Sequence, residues 1–256
     1  MNKNSRIYVA GHTGLVGHNL LDELIKRGYH NLFYATHRDI DLVNSFDIET
    51  VFSSFKPEYV FLCAARVGGI QGNDLYSADF IYENTMIQSN VIKACHDFKV
   101  KKLLFLGTSC IYPMNAPIPI KEKSLLTGLL EQTNIGYSIA KINGLIMCQM
   151  FNKQYGDNFI SVMPSNLYGK YDNYNPLTSH AFSSLLRKIH EAKLNNKPSI
   201  TIWGSGNPLR ELLFTEDLTS ALIFLMKNYN SNQIINIGTG VDISILNLTK
   251  LTQFYP

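Results

Sequence analysis

The sequence predicts an α/β fold: a doubly wound parallel sheet followed by a second, smaller lobe. Three observations predict it. Short apolar runs alternate with segments of helical periodicity from Arg6 to Met163. A glycine turn joins the first run to the first helix. Beyond Pro164 the alternation loosens into a segment rich in Asn, Tyr and Pro. Strands that alternate with helices imply right-handed crossovers, and these cover both faces of a parallel sheet.

Ile7, Tyr8, Val9 and Ala10 form a strand ending at Gly11, and Leu15, Leu20, Leu21, Leu24 and Ile25 then recur at helical spacing until Gly28. The same patterns predict strands over 32–35, 59–64, 102–106 and 160–163, and helices over 46–55, 79–98 and 137–155. Residues 1–164 are thus expected to form the main domain. Residues 165–256 are expected to form mainly the second lobe, with some segments returning to the first sheet. There, residues 168–176 are irregular, a helix is predicted over 180–194, strands over 201–203 and 234–237, a helix over 217–227 and a helix start at Ile243. Leu248, Leu251 and Phe254 begin an amphipathic helix that stops at Pro256, so the second lobe reads as C-terminally truncated.

A chain of 256 residues can bury one large core with an appendage, and its 45% hydrophobic and 17% charged residues exclude a disordered polyelectrolyte. The net charge of +3 is spread along the chain without a basic run, which argues against nucleic acid or an anionic membrane as partner. Residues 1–6 are polar and lead straight into a strand, unlike a signal peptide, and no apolar stretch reaches membrane-spanning length. Cys63, Cys95, Cys110 and Cys148 show neither CxxC nor zinc-like spacing, so no metal is expected and a reducing, cytoplasmic setting is.

Gly11, His12, Thr13, Gly14, Leu15, Val16 and Gly17 follow a strand and open a helix with GxxGxxG spacing. Glycines there permit a tight turn, close approach of backbone to a pyrophosphate and close packing of helix on strand, as in the Rossmann fold. The free N–H groups and dipole of the helix N-terminus then face an anion. The second strand ends in Thr36, His37 and Arg38, with acids only at Asp39 and Asp41. An NAD enzyme would place a carboxylate near the end of that strand for the ribose hydroxyls. Basic groups suit a 2′-phosphate, so NADP is favoured over the lesser reading of Arg38 as a solvated turn residue.

Tyr137 and Lys141 stand four residues apart at the start of a predicted helix and so share one face. An ammonium nearby would stabilise a phenolate and lower the Tyr pKa toward working pH, fitting Tyr137 to give a proton to a developing alkoxide. Lys141 could also hold a nicotinamide ribose. Leu106, Gly107, Thr108 and Ser109 end the intervening strand and offer hydroxyls at the carboxyl edge of the sheet, where such folds bind ligands. YxxxK alone is common on solvated helices; its order after a glycine turn gives it weight.

Glycine turn, Thr108 and YxxxK in this order resemble the extended short-chain dehydrogenase/reductase family, which works on nucleotide sugars. The resemblance runs from Arg6 to about Leu251. Further strings narrow it: Val67, Gly68, Gly69, Ile70; Ala78 to Tyr82; Gly107 to Pro113 as GTSCIYP; Pro164 to Gly169 as PSNLYG; and Trp203 to Glu211 as WGSGNPLRE. Together they are similar to the family of GDP-4-keto-6-deoxy-mannose 3,5-epimerase-4-reductases, which make GDP-L-fucose.

The resemblance implies NADPH as cofactor, a GDP-sugar as substrate and a homodimer paired through the helices over 79–98 and 137–155. It implies cofactor contacts at Gly11 to Gly17, at His37, Arg38, Asp39, Asp41 and Leu42, at Leu106, Gly107, Thr108 and Lys141, and at Pro164, Ser165, Asn166, Leu167 and His180. Catalysis would fall to Tyr137, Lys141 and Thr108, with Cys110 and His180 as the acid/base pair for epimerisation. Thr108 stands where the family usually has Ser. Lys188, Trp203 and Arg210 would bind substrate, with Lys188 in place of an Arg. Thr13 and His37 replace two arginines that hold the NADP phosphate in close relatives. Read without the resemblance, Cys110 is a small packed side chain and His180 a helix cap. Cys63, Cys95 and Cys148 read as packing. Two other readings stay open: a reductase or epimerase of another nucleotide sugar, such as a GDP-heptose, and an inactive cofactor-binding relative.

Overall fold

The computed structural model describes residues 1–253. Phe254 and Pro256, on which part of the predicted last helix falls, lie outside the described residues. In chain order the elements of the main domain are β1 (Ile7–Ala10), α1 (Leu15–Lys26), β2 (Leu32–Phe33), α2 (Ser45–Phe55), β3 (Tyr59–Leu62), α3 (Ile70–Leu75), α4 (Ser77–Asp97), β4 (Lys102–Leu106), α5 (Ile135–Tyr155) and β5 (Phe159–Pro164). Then follow β6 (Asn166–Tyr168), α6 (Ala181–Leu194), β7 (Leu209–Phe214), α7 (Thr215–Asn228), β8 (Ile235–Ile237), β9 (Asp242–Ser244) and α8 (Ile245–Gln253).

Six strands pair in parallel in the order β2, β1, β3, β4, β5, β8. Successive residues of a strand face opposite ways, and both faces here are apolar. Ile7 and Val9 of β1, Phe61 of β3 and Leu104 of β4 enter one core with Leu20 and Leu24 of α1 and Leu218 and Leu222 of α7. Tyr8, Leu62 and Phe105 enter the other with residues of α2, α4 and α5, among them Phe52, Ile92 and Leu145. Each Leu, Ile or Phe removed fully from water contributes about 1.5–3 kcal/mol. The two cores therefore clamp the sheet from both faces.

The strand order reverses between β1 and β3, which opens a crevice at the carboxyl ends of these strands. β5 ends at Pro164, and two residues later β6 begins a separate sheet, parallel to β7, which pairs antiparallel with β9. The chain thus leaves the main sheet for the lobe at Ser165 and returns through α7 and β8.

Several expected elements differ. Residues 201–203 form no strand: although β-branched and aromatic, they meet no partner ladder. The strand lies at β7, where Leu209, Arg210 and Glu211 pair with Ser244, Ile243 and Asp242. Ile243 consequently belongs to β9 rather than to a helix start. β2 stops at Phe33 because its pairing with β1 ends there. α5 begins at Ile135, and α3 was not foreseen. No helix among the described residues is long and apolar enough to cross a membrane, and no group of His, Cys, Asp and Glu among them could hold a metal ion.

Candidate active site

The glycine turn closes at the carboxyl end of β1, with Gly14 N–H donating to Gly11 O at 3.2 Å. Gly11 has φ +91°, and a Cβ there would lie 2.5 Å from the Ala64 backbone just past β3. A Cβ at Gly17 would lie 2.1 Å from Gly11 O, so α1 sits against the turn at a distance only glycine permits. Gly14 differs: a Cβ there would meet only Gly11 O at 3.6 Å, leaving its outer side open. No side chain caps the N-terminus of α1. An open glycine beside uncapped N–H groups suits an anion such as a pyrophosphate.

Beyond β2, His37, Arg38 and Asp39 are exposed, and Asp41 and Leu42 are half-buried. Asp39 is held by Thr36, whose Oγ1 donates to it at 2.6 Å, and Asp41 lies 3.6 Å from His37 Nδ1. No ion pair among the described residues engages Arg38, so a cation stands free at this end of the crevice. His12 tilts against Tyr34 with 5.0 Å between ring centroids, and Thr13 is exposed beside it.

β4 delivers the next group. Leu106 ends the strand and Gly107 follows it; a Cβ at Gly107 would lie 2.2 Å from Met163 Sδ on β5. Thr108 then turns into a 3₁₀ segment, its Oγ1 accepting from Cys110 N at 3.2 Å. The first turn of α5 is bonded to this segment, Ser138 Oγ donating to Cys110 O at 2.9 Å, and the Thr108 hydroxyl lowers both the Tyr137 phenol and the Cys110 thiol. Tyr137 comes from the first turn of α5, whose lead-in is pinned by Glu131: its carboxylate accepts from Thr133 N at 3.1 Å and Asn134 N at 3.0 Å. Tyr137, Thr108 and Cys110 therefore converge although they come from two elements.

Lys141, one turn on, is 3% exposed and donates from Nζ to Leu106 O at 2.8 Å. Its Nζ is 5.9 Å from the Tyr137 ring centroid. Burial lowers the Lys141 pKa from 10.5 to about 8, offset in part by Cys63. Burial also raises Tyr137 above its ordinary 10, with Cys110 adding and Thr108 opposing. The expected lowering of Tyr137 by the ammonium is thus reversed in this state, because loss of water penalises the phenolate more than any neighbour favours it. A phenol kept protonated remains fit to donate a proton.

Cys110 is likewise raised, by burial first, with Thr108 lowering, Glu131 raising and Arg210 lowering it. That effect brings Arg210 of β7 within electrostatic reach of the site. His180, just before α6, is exposed to solvent yet crowded enough that burial lowers its imidazole below 6.5, opposed by Asp172. At neutral pH the thiol therefore holds its proton and the imidazole does not. Lys188 and Trp203 meet each other, Nζ standing 5.0 Å from the indole centroid, on the lobe. At the end of β5, Pro164 is buried, Ser165 and Leu167 are half-buried and Asn166 is exposed. The Ser165 hydroxyl is buried without a hydrogen-bond partner among the described residues. Cys95 and Cys148 are buried and Cys63 half-buried, as packing residues are.

Sequence reasoning reached Gly69 only within a matching string, and not Ser179 or Glu131. Gly69 N–H donates to Thr178 O at 2.9 Å, and a Cβ there would lie 2.4 Å from Ser179 O, so the glycine pair lets the loop after β3 dock beside His180. The Ser179 hydroxyl is buried and has no hydrogen-bond partner among the described residues. Glu131 was legible, as an acid placed two and three residues ahead of the amides it caps.

The sequence matches the NAD dependent epimerase/dehydratase family over residues 7–238. It is 48% identical to GDP-L-fucose synthase 1 of Arabidopsis thaliana, over 98% of this chain and 78% of that protein. It is 45% identical to the GDP-L-fucose synthase of Escherichia coli, over 96% of this chain and 79% of that one. Among solved structures, a GDP-mannoheptose C4 reductase from Campylobacter jejuni with NADP bound aligns with a TM-score of 0.91 at 42% identity, covering 99% of this chain and 84% of that one.

Proposed function

Since the chain belongs to the NAD dependent epimerase/dehydratase family, we propose that it performs the NADPH-dependent epimerisation at C3 and C5 and reduction at C4 of GDP-4-keto-6-deoxy-mannose, giving GDP-L-fucose. The observation that carries this reading is the bond from Ser138, next to Tyr137, to Cys110 O at 2.9 Å, which puts a reductase's proton donor beside an epimerase's acid/base group, with the Thr108 hydroxyl acting on both.

NADPH, when bound, supplies the hydride. The residues that would hold it are Gly11 to Gly17 for the pyrophosphate, His37 and Arg38 for the 2′-phosphate, with Asp39, Asp41 and Leu42 beside them. Leu106, Gly107 and Lys141 would hold the nicotinamide ribose, with Pro164 to Leu167 and His180 along the other wall. A 4-keto group acidifies the hydrogens at C3 and C5, so one group removes a proton and another returns one on the opposite face. In the free enzyme His180 starts as the base and Cys110 as the acid, given their opposite shifts. Thr108 and Tyr137 hold the oxyanion of the enolate, and Tyr137 then gives its proton to the C4 oxygen as the ketone is reduced. Lys188, Trp203 and Arg210 serve the GDP moiety, Arg210 by charge-assisted bonds to the diphosphate.

In this reading the enzyme is a homodimer paired through α4 and α5, which leave Ile81, Tyr82, Ile139 and Met150 exposed, and it works in the cytoplasm, which suits four free cysteines. Turnover in deuterated water tests it: the sugar product should be GDP-L-fucose carrying deuterium at C3 and C5. Cys110→Ser should abolish that uptake while NADPH still binds, and undiminished uptake removes Cys110 from the mechanism. Similarity to the C4 reductase supports a second reading, reduction of a GDP-heptose without epimerisation, for which the product would carry no deuterium at either carbon.

A further inference from the structure

His180 precedes α6, whose N-terminus no side chain caps. Against the first turn of that helix lies Asp172. Its Oδ2 accepts from the hydroxyl of Ser183, a residue 1% exposed, and its Oδ1 accepts from Asn173 N at 2.7 Å. Asp172 is also the charge that acts on His180. From the opposite side the loop docked on Thr178 and Ser179 presents Gly69, which carries none.

What holds Asp172 in place is the residue before it. Tyr171 has φ +72°, in the left-handed region that a residue with a bulky side chain seldom adopts unless its surroundings impose it. The surroundings here are α1. The Tyr171 ring stacks on His18 with 3.6 Å between centroids and 10° between planes. Its hydroxyl donates to Asp22 Oδ2 at 3.0 Å, and Lys170 Nζ stands 4.4 Å over the ring. Asn19, 5% exposed, donates to Lys170 O at 2.8 Å. Residues 170–172 thus form a strap from the helix that carries the glycine turn to the start of the helix that follows His180.

We propose that Asp172 is a positioning residue for His180: the Tyr171 strap on α1 holds its carboxylate on Ser183, in the first turn of α6, and so fixes the end of the helix from which His180 projects. The inference rests on the reading of His180 as an epimerisation residue. Its physical content is independent of that reading, because a carboxylate beside an imidazole favours the protonated ring wherever it occurs. It also ties the acid/base group of the lobe to the dinucleotide helix, so the two halves of the reaction share one rigid connection.

The test is a proton-NMR titration of the His180 ring, identified by its disappearance in His180→Gln, alongside solvent-deuterium uptake at C3 and C5. Asp172→Asn keeps an acceptor for Ser183 and removes the charge. The His180 midpoint should fall by about 1. Deuterium uptake should fall about tenfold, in line with a hydrogen-bonded charge lost from a catalytic pair. KM for the sugar and NADPH affinity should change less than about twofold, because neither ligand contacts Asp172 in this account. Ser183→Ala keeps the charge and frees the carboxylate, so uptake should fall a few-fold with the midpoint nearly unmoved. An unmoved midpoint in Asp172→Asn overturns the proposal, as does a parallel loss of uptake, NADPH affinity and thermal stability. Full uptake in His180→Gln would instead overturn the assignment of His180.

Discussion

Lys141→Met should stabilise the protein while abolishing its activity. The ammonium of Lys141 is taken from water almost completely, and a pKa lowered from 10.5 to about 8 corresponds to about 3 kcal/mol of unfavourable burial. Methionine has similar length and no charge, so it removes that penalty. It also removes the donor to Leu106 O, which costs about 1 kcal/mol. The balance is about 2 kcal/mol in favour of the variant at neutral pH, or about 4–8 °C in melting temperature for a chain of this size. The sign of its pH dependence follows from proton counting. Below about pH 8 both folded and unfolded chains hold the Lys141 proton, and the full penalty is present. Between about 8 and 10.5 the unfolded chain holds more of it, so the wild type gains stability as pH rises; above 10.5 neither holds it. The advantage of Lys141→Met should therefore be largest near neutrality and close toward pH 10. Lys102, at the start of β4 with its ammonium donating to Leu225 O near the end of α7 and also lowered to about 8, contributes equally to both proteins and cancels in the difference. Urea denaturation of cofactor-free wild type and variant at several pH values measures this. A variant less stable at neutral pH, or an advantage that does not shrink on raising the pH, would refute the reasoning.

Thr108→Val removes the hydroxyl that lowers both the Tyr137 phenol and the Cys110 thiol, and should lower kcat by about 10²–10³ with NADPH affinity retained, as loss of an oxyanion donor does; stopped-flow hydride transfer and a binding titration separate the two. The glycines of the turn should split by role. Gly17→Ala forces a Cβ to within 2.1 Å of Gly11 O and should lower both the melting temperature and NADPH binding, whereas Gly14→Ala meets only an ordinary 3.6 Å contact and should melt like wild type yet bind NADPH poorly. Arg38→Ala should reduce the preference for NADPH over NADH about tenfold, as expected for one charge-assisted bond to the 2′-phosphate, with NADH affinity unchanged in the same titration.

The parallel sheet was legible because two-sided burial makes β1, β3, β4 and β5 near-continuous apolar runs, and because Gly11, Gly14 and Gly17 mark a turn that few other residues tolerate. Tyr137 and Lys141 were legible because one helical turn is a local property: four residues apart, they share a face in any helix. The lobe was read less well. Residues 201–203 have the composition of a strand and β7 does not stand out, since strand identity there depends on whether β6 and β9 lie alongside. The sequence by itself determined which groups are available: the glycine turn, the hydroxyl of Thr108, the Tyr and Lys pair, the thiol of Cys110 and the imidazole of His180. Only the tertiary structure decided their state. The start of α5 packs on the segment after β4, Ser138 donating to Cys110 O, and burial moves Tyr137 and Cys110 up and Lys141 and His180 down. Desolvation depends on everything packed around a group, most of it distant in the chain, so the sign of the Tyr137 shift could not be read from a lysine four residues away.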